Sequence, residues 1–265
     1  MYKEILNVIK IGGQVLDDPP QMENFMNQLS GIRGAFLLVH GGGNRATQIC
    51  SRMGIETQMI NGRRVTDAET LEVVVMVYAG LLNKQLTAGL QSRKFQAIGL
   101  CGADSNLIRA EKRNVAGIDY GFVGDVHADS VNRSQLKRML EECWVPVFSP
   151  ITHDGNGQLL NTNADTIASA IAIAMSTEYR VKLLYCFGKG GVLEDIQNEH
   201  SIIRELNLDS YKQLEQRGAI HTGMIPKLDN AFHAIQQGVS EVHIMHINQI
   251  KPFNENKHVG TRLVC

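Results

Sequence analysis

Cysteine is scarce and unpatterned in this chain. Cys50, Cys101, Cys143, Cys186 and Cys265 are odd in number, and none lies within a C-x-x-C or other zinc-ligand spacing. That excludes a disulfide scaffold and a zinc module, and reads as reduced thiols in a cytoplasmic protein. A secretory leader is also missing: Met1-Tyr2-Lys3-Glu4-Ile5 runs almost directly into an apolar pattern, with no long apolar core or cleavage site. No uncharged apolar stretch reaches the roughly 18 residues of a membrane span. The nearest, Val73 to Leu82, is interrupted by Tyr78 and Gly80, so a soluble protein is expected. An excess of either charge is absent too, since 26 Lys and Arg stand against 27 Asp and Glu. A nucleic acid or a membrane is therefore not an expected partner, and any anion must be met by a few local cations. The sequon Asn132-Arg133-Ser134 has no meaning without secretion. Internal repeats, low-complexity runs and Pro- or Ser-rich linkers are lacking, so a division into lobes must fall at a short connection, expected near Met175–Tyr179.

What is present is an ordinary globular composition: 265 residues, 43% hydrophobic and 20% charged, enough to bury a core unaided. Short apolar runs alternate with segments of helical period, which argues for an α/β fold with a largely parallel sheet covered by helices. Strands are predicted at Ile5–Ile11, Ala35–His40, Gln96–Cys101, Val145–Ile151, Lys182–Phe187 and Glu241–His246. Helices are predicted at Gln21–Ser30, Asn44–Met53, Ala68–Gln91, Ser134–Glu142, Ala164–Met175, Leu208–Arg217 and Pro226–Gln237. Ile108 to Val126 and the turn-rich Asp154-Gly155-Asn156-Gly157 break the alternation and read as antiparallel hairpins forming lids.

Five short elements can carry chemistry. Lys10-Ile11-Gly12-Gly13 ends the first strand, where glycines let backbone approach a ligand beside a cation; taken alone, a Gly-Gly turn with a solvated lysine fits it better. His40-Gly41-Gly42-Gly43 joins a strand to a helix whose free N–H groups suit an anion. The hydrolase and dinucleotide readings of that turn fail for want of G-x-S-x-G and G-x-G-x-x-G companions, and His40 is as readily a buried strand end. In Gly62-Arg63-Arg64-Val65-Thr66, Arg64 can clamp a carboxylate with its planar fork, or stand solvated before a helix capped by Thr66 or Asp67. Asn161-Thr162-Asn163-Ala164-Asp165 enters a helix, so its Asn residues cap it or bind ligand, and Asp165 can orient lysines from the first turn. Gly223-Met224-Ile225-Pro226-Lys227 holds a lysine at a helix start that begins with proline.

In that order, and over nearly the whole chain, K-x-G-G, H-G-G-G, G-x-R-V-T, N-x-N-A-D and G-M-x-x-K, with Gly121-Phe122-Val123-Gly124-Asp125-Val126 between them, resemble the amino acid kinase family. The resemblance implies a three-layer αβα sandwich around a mainly parallel central sheet, carbamate-kinase-like, with β-hairpin lids. It implies an N-terminal lobe, 1–176, for substrate and dimerisation, and a C-terminal lobe, 177–265, for nucleotide. Within the family the pattern is that of a kinase of N-acylated L-glutamate in arginine biosynthesis, using ATP with Mg²⁺. Lys10 and Lys227 would then flank the transferred phosphoryl group, with Asp165 positioning both. Gly42 and Gly43 would offer backbone donors, helped by Gly12 and Gly13, and Arg64 and Asn161 would bind the acylglutamate.

That chemistry is self-consistent, because a γ-carboxylate with a pKa near 4.3 is ionised at neutral pH and needs no general base. Magnesium would arrive on ATP without a dedicated carboxylate cage. The nucleotide loop departs from the family pattern: Cys186-Phe187-Gly188-Lys189-Gly190-Gly191-Val192 lacks the usual aspartate. Lys189, Gly190 and Gly191 are expected near phosphate, and Ile220 and His221 near the nucleotide. Strand residues so near position 1 imply, by the resemblance, a homodimer insensitive to arginine. N-acetyl-L-glutamate is the substrate read first. N-succinyl-L-glutamate is the alternative, since Arg63 adds a cation beside Arg64, although a solvated Arg63 reads equally well. A catalytically silent sensor on the same fold is a further alternative, favoured by the altered loop and opposed by the presence of both lysines.

Overall fold

The computed structural model describes residues 3–195, 197–220 and 224–264. Its strands are β1 Ile5–Ile11, β2 Ala35–His40, β3 Met59–Ile60, β4 Arg63–Arg64, β5 Gln96–Leu100, β6 Glu111–Lys112, β7 Val123–Asp125, β8 Trp144–Phe148, β9 Ile151–His153, β10 Leu159–Thr162, β11 Arg180–Phe187, β12 Glu205–Leu206, β13 Glu241–His246 and β14 Thr261–Leu263. Eight form one sheet in the order β12-β14-β13-β11-β1-β2-β8-β5. All its pairings are parallel except β13 with β14. The central strands are near-continuous apolar runs because helices cover both faces, so neither side of the pleat meets water. Alternation along β1 makes the point: Leu6 and Val8 belong to the core on one face, Ile9 and Ile11 to the core on the other. Lys10 therefore falls on the Leu6–Val8 face.

The helices are α1 Gly13–Leu16, α2 Pro19–Leu29, α3 Gly43–Arg52, α4 Ala68–Val74, α5 Asn83–Gln91, α6 Arg133–Glu141, α7 Ala164–Met175, α8 Leu208–Gln216, α9 Ile225–Gln236 and α10 Ile250–Asn254. On the Lys10 face, α7 packs through Ile167, Ala168 and Ile171, which are fully buried. Its alanines let it approach the strands closely, and Asn163 caps it by accepting from the N–H groups of Asp165 and Thr166. The opposite core gathers Phe25 and Leu29 of α2, Leu86 and Leu90 of α5, and Ile250 of α10.

The α/β sandwich agrees with the sequence reading, and its differences have local causes. Val145–Ile151 is two strands, because Pro150 has no N–H to donate to a continuing ladder. The hairpin β3–β4 was not anticipated; it closes through Asn61 and Gly62, both at positive φ (49° and 73°), the signature of a tight primed turn. The two expected lids combine into one four-stranded sheet, β6-β7-β10-β9. Helices α4 and α5 are continuous through a π-helical segment, Val75–Leu82. The resulting 24-residue helix is long and apolar enough to cross a membrane by length and composition, although Glu69, Glu72 and Lys84 keep it from being an uncharged stretch of that length. Its Leu71, Val74, Val77, Tyr78 and Leu82 pack into a core of their own with Ala46 and Cys50. Cys50, Cys101, Cys143 and Cys186 are free.

Candidate active site

The turns that follow the parallel strands β1, β2 and β11 emerge at the same end of the central sheet, where ligands bind in open α/β folds, and β10 of the smaller sheet leads into α7 beside them. Asp165, in the first turn of α7, points at the end of β1. One carboxylate oxygen lies 2.7 Å from Lys10 Nζ and the other accepts from Lys227 Nζ at 2.7 Å. The side chains of Lys10 and Asp165 are 7% and 9% exposed, that of Lys227 26%, so two cations share one anion with little help from water. Burial alone would push the carboxyl up, but the two ammonium groups overcome it and hold Asp165 well below the usual carboxylate range. Lys10 is pulled down, chiefly by burial, with Asp165 opposing and Lys227 adding to the pull.

On one side of this triad is a cavity of about 220 Å³ whose walls include Lys10, Gly13, Gly42, Gly43, Arg63, Arg64, Asn161 and Asp165. The glycines are there because two turns interlock: a Cβ on Gly13 would come within 3.1 Å of the Gly42 nitrogen, and one on Gly42 within 2.6 Å of Leu82 Cδ1. Arg64 is 7% exposed and donates from Nη2 to the Gly43 carbonyl (2.9 Å) and Thr47 Oγ1 (2.7 Å), leaving its buried Nη1 without a partner. Asn161 Nδ2 donates to Thr66 Oγ1 at 3.0 Å, which ties the β10 end to the segment after Arg64. Asp67, not Thr66, caps α4, its Oδ1 accepting from Thr70 N. His40 stands outside this cavity. Fully buried, it donates from Nδ1 to the Gly41 carbonyl at 2.7 Å, and Asn83 Nδ2 donates to its Nε2 at 3.3 Å. Burial holds the imidazole neutral and pushes its pKa down to about 4.

On the other side lies a cavity of about 480 Å³. Lys10, Gly12, Gly13, Lys227, Phe187, Lys189, Gly191 and Ile220 are among its walls. Lys10 and Gly13 are thus common to both cavities. Lys189 forms an exposed ion pair with Glu199 at 2.8 Å. Gly190 is not among the lining residues; it sits against Ile202, whose Cδ1 would lie 2.7 Å from a Cβ there. His221 lies outside the described residues.

The model of the amino acid kinase family matches residues 6–246. The chain belongs to that family. Among its relatives it is 49% identical over 262 residues to the acetylglutamate kinase of Cytophaga hutchinsonii, covering 98% of both chains. It is 49% identical to that of Bacteroides thetaiotaomicron, covering 98% of this chain and 99% of the relative. The acetylglutamate kinase of Methanopyrus kandleri is 39% identical, with 91% and 95% covered. Among solved structures, N-acetylglutamate synthase from Neisseria gonorrhoeae, in complex with coenzyme A and N-acetyl-glutamate, superposes with a TM-score of 0.84 at 18% identity, covering all of this chain and 60% of that one. Giardia lamblia carbamate kinase gives 0.68 at 12% identity, covering 99% and 98%. At those identities the likeness concerns the fold.

Several residues of this amino acid kinase's two cavities escaped sequence reasoning. Tyr78 lines the substrate-side cavity from the π segment, next to Gly42; its one signal was a tyrosine inside an apolar run. Thr162 also lines it, beside Asn163, which the sequence had offered as a cap or a ligand contact. Phe187, Val192, Leu193 and Met224 give the second cavity an apolar wall; three of them stood inside quoted motifs, but none was read as a wall of a pocket.

Proposed function

We propose that this chain transfers the γ-phosphoryl group of ATP to the γ-carboxylate of an N-acylated L-glutamate, a step of arginine biosynthesis, with N-acetyl-L-glutamate the substrate named by its relatives. The observation that carries the reading is the pair of cavities meeting at Lys10, with Lys227 and Asp165 completing the junction. Acylglutamate occupies the smaller cavity, its α-carboxylate on Arg64 and its amide near Asn161. ATP occupies the larger, adenine against the apolar wall and phosphates near Gly12, Gly13 and the Lys189–Gly191 loop, with Ile220 and His221 beside the nucleotide.

A γ-carboxylate oxygen forms a bond to the γ-phosphorus while the bridging oxygen to ADP departs. The carboxylate is already ionised, so no proton moves and the protein's task is alignment and charge neutralisation. Lys10 and Lys227 supply the positive charge on the transferring group, and backbone N–H groups at Gly42 and Gly43 add donors. Asp165 is a positioning residue that holds the two ammonium groups together without neutralising both. Magnesium would enter as MgATP, with the phosphates supplying its main ligands.

The same reading divides the chain at 176/177 into an acylglutamate lobe and a nucleotide lobe and places the enzyme in the cytoplasm. It also makes the enzyme a homodimer, supported by Met76 and Leu81, which expose 53% and 39% of their surface on the long helix. Light scattering at twice the 29.3 kDa chain mass checks the last. The function is tested by ADP release from MgATP with N-acetyl-L-glutamate against free L-glutamate. Turnover that needs the acyl group and falls at least a hundredfold in Lys10→Ala and Lys227→Ala is expected. No acylglutamate-dependent turnover would refute it.

A further inference from the structure

Positive charge around the substrate-side cavity exceeds what N-acetyl-L-glutamate can use. Lys10 and Lys227 share Asp165, which leaves one surplus cation facing the reacting γ-carboxylate and the phosphoryl group. Arg64 has no carboxylate within ion-pair distance among the described residues and takes the α-carboxylate. A third surplus lies at Asp125, where Arg113 Nη1 donates to both oxygens at 2.8 Å. Arg113 itself rests on the Tyr120 ring, 5.0 Å from its centre. Arg63, whose Nη1 stands 3.7 Å from the same carboxylate, makes no hydrogen bond among the described residues. Two guanidinium groups thus draw on one anion, and the one left over, Arg63, lines the cavity. Burial and the charge of Arg113 both disfavour the charged form of Arg63, and Asp125 offsets them only in part.

There is also room. Arg63 opens β4 directly after Gly62, and both line the cavity. A Cβ built on Gly62 meets nothing within 4 Å, so the hairpin tip beside Arg63 borders open space. A partly buried cation, 23% exposed, whose inward Nη1 lacks a hydrogen-bond partner, next to unfilled space, is a recognition element for a carboxylate, which a guanidinium binds through charge-assisted hydrogen bonds.

Resting on the acylglutamate-kinase reading, we propose that the acyl group this site prefers ends in a carboxylate, as in the monoamide of a short dicarboxylic acid, and that Arg63 determines that preference. N-succinyl-L-glutamate is the simplest such substrate, and its third carboxylate meets the third surplus cation.

The test compares kcat/KM for N-succinyl-L-glutamate, N-acetyl-L-glutamate and N-succinamyl-L-glutamate, whose terminal amide matches the succinyl group in size without its charge, in the wild type and in Arg63→Gln. Succinyl is expected to exceed both others by about tenfold or more. The succinyl-to-succinamyl ratio should fall toward one in Arg63→Gln and be partly restored in Arg63→Lys. A wild-type ratio near one, or a preference that survives in Arg63→Gln, would overturn the proposal. If the Arg63 variants fail to fold, the wild-type ratio alone decides it. If no acylglutamate is phosphorylated, the kinase reading fails instead, and dissociation constants of the three compounds by calorimetry still read the preference, equal affinities overturning it.

Discussion

Replacing Asp165 by asparagine keeps the volume of the side chain and removes the one charge that two lysines share. Both oxygens are engaged at 2.7 Å; in the variant one becomes an NH₂ facing an ammonium, donor against donor. Removing one partner of a buried ion pair costs about 3–5 kcal/mol. Lys227, 26% exposed, can turn toward water, whereas Lys10, 7% exposed, cannot, so the low end of that range, about 3 kcal/mol at pH 7, is the expected loss in urea unfolding. The pH dependence carries the sign. Lys10 already has a depressed pKa in the folded protein, and losing Asp165 depresses it further. A base whose folded pKa lies below its unfolded one destabilises the fold while it must stay charged, and is relieved as pH rises through the folded value. The stability gap between variant and wild type should therefore narrow as pH rises from 7 to 9.5. Turnover should fall by about two orders of magnitude, the scale of misplacing reacting groups by an ångström. A variant within about 1 kcal/mol of wild type at pH 7, with turnover reduced less than threefold, would refute the positioning role.

Three further outcomes follow from the same geometry. His40, neutral and buried with a pKa pushed down to about 4 from 6.5, takes up a proton in the unfolded chain but not in the folded one between those values. Stability should fall by about 3 kcal/mol as pH drops from 6.5 to 4, and His40→Gln should flatten that slope by one proton in urea titrations. Arg64→Lys keeps the charge but loses the planar fork that reaches Gly43 and Thr47. KM for the acylglutamate should rise about tenfold or more while KM for ATP stays within twofold, and equal changes in both would contradict the assignment. Gly42→Ala drives a methyl to 2.6 Å from Leu82 and 2.8 Å from Tyr78. Overpacking of this kind costs about 1–3 kcal/mol, visible as a lowered melting temperature, and an unchanged melting temperature would show that the turn yields freely.

The legible parts of the sequence were those in which local pattern and tertiary burial agree. β1, β2 and β13 are buried on both faces, so their apolar runs begin and end where the strands do. Asn163 announced α7 because the cap side chain and the small apolar helix after it belong to one local signal. β3–β4 went unread because two residues per strand cannot show alternation, although Asn61-Gly62 carried the turn chemistry in full view. That Asp165 could orient lysines was readable from its place in the first turn of α7, but which lysines has no local signature, since sheet order and the seating of α7 bring Lys10 and Lys227 together, and that pairing was expected only through the family resemblance. Tyr78 reaches the cavity from a π-helical segment, and the widened turn left no mark in the hydrophobic period. Arg63 was visible as a cation beside Arg64; that Arg113 outcompetes it for Asp125 required the lid strands in place.

The most direct test of carboxyl phosphorylation is to detect its product. An acyl phosphate formed on the γ-carboxylate is trapped by hydroxylamine as the hydroxamate, which can be counted against ADP in the same reaction. One γ-hydroxamate per ADP, from wild-type enzyme with MgATP and an N-acyl-L-glutamate, is the predicted result. ADP released without hydroxamate would mean that the phosphoryl group goes to water, and that the junction at Lys10, Asp165 and Lys227 does not align a carboxylate for attack.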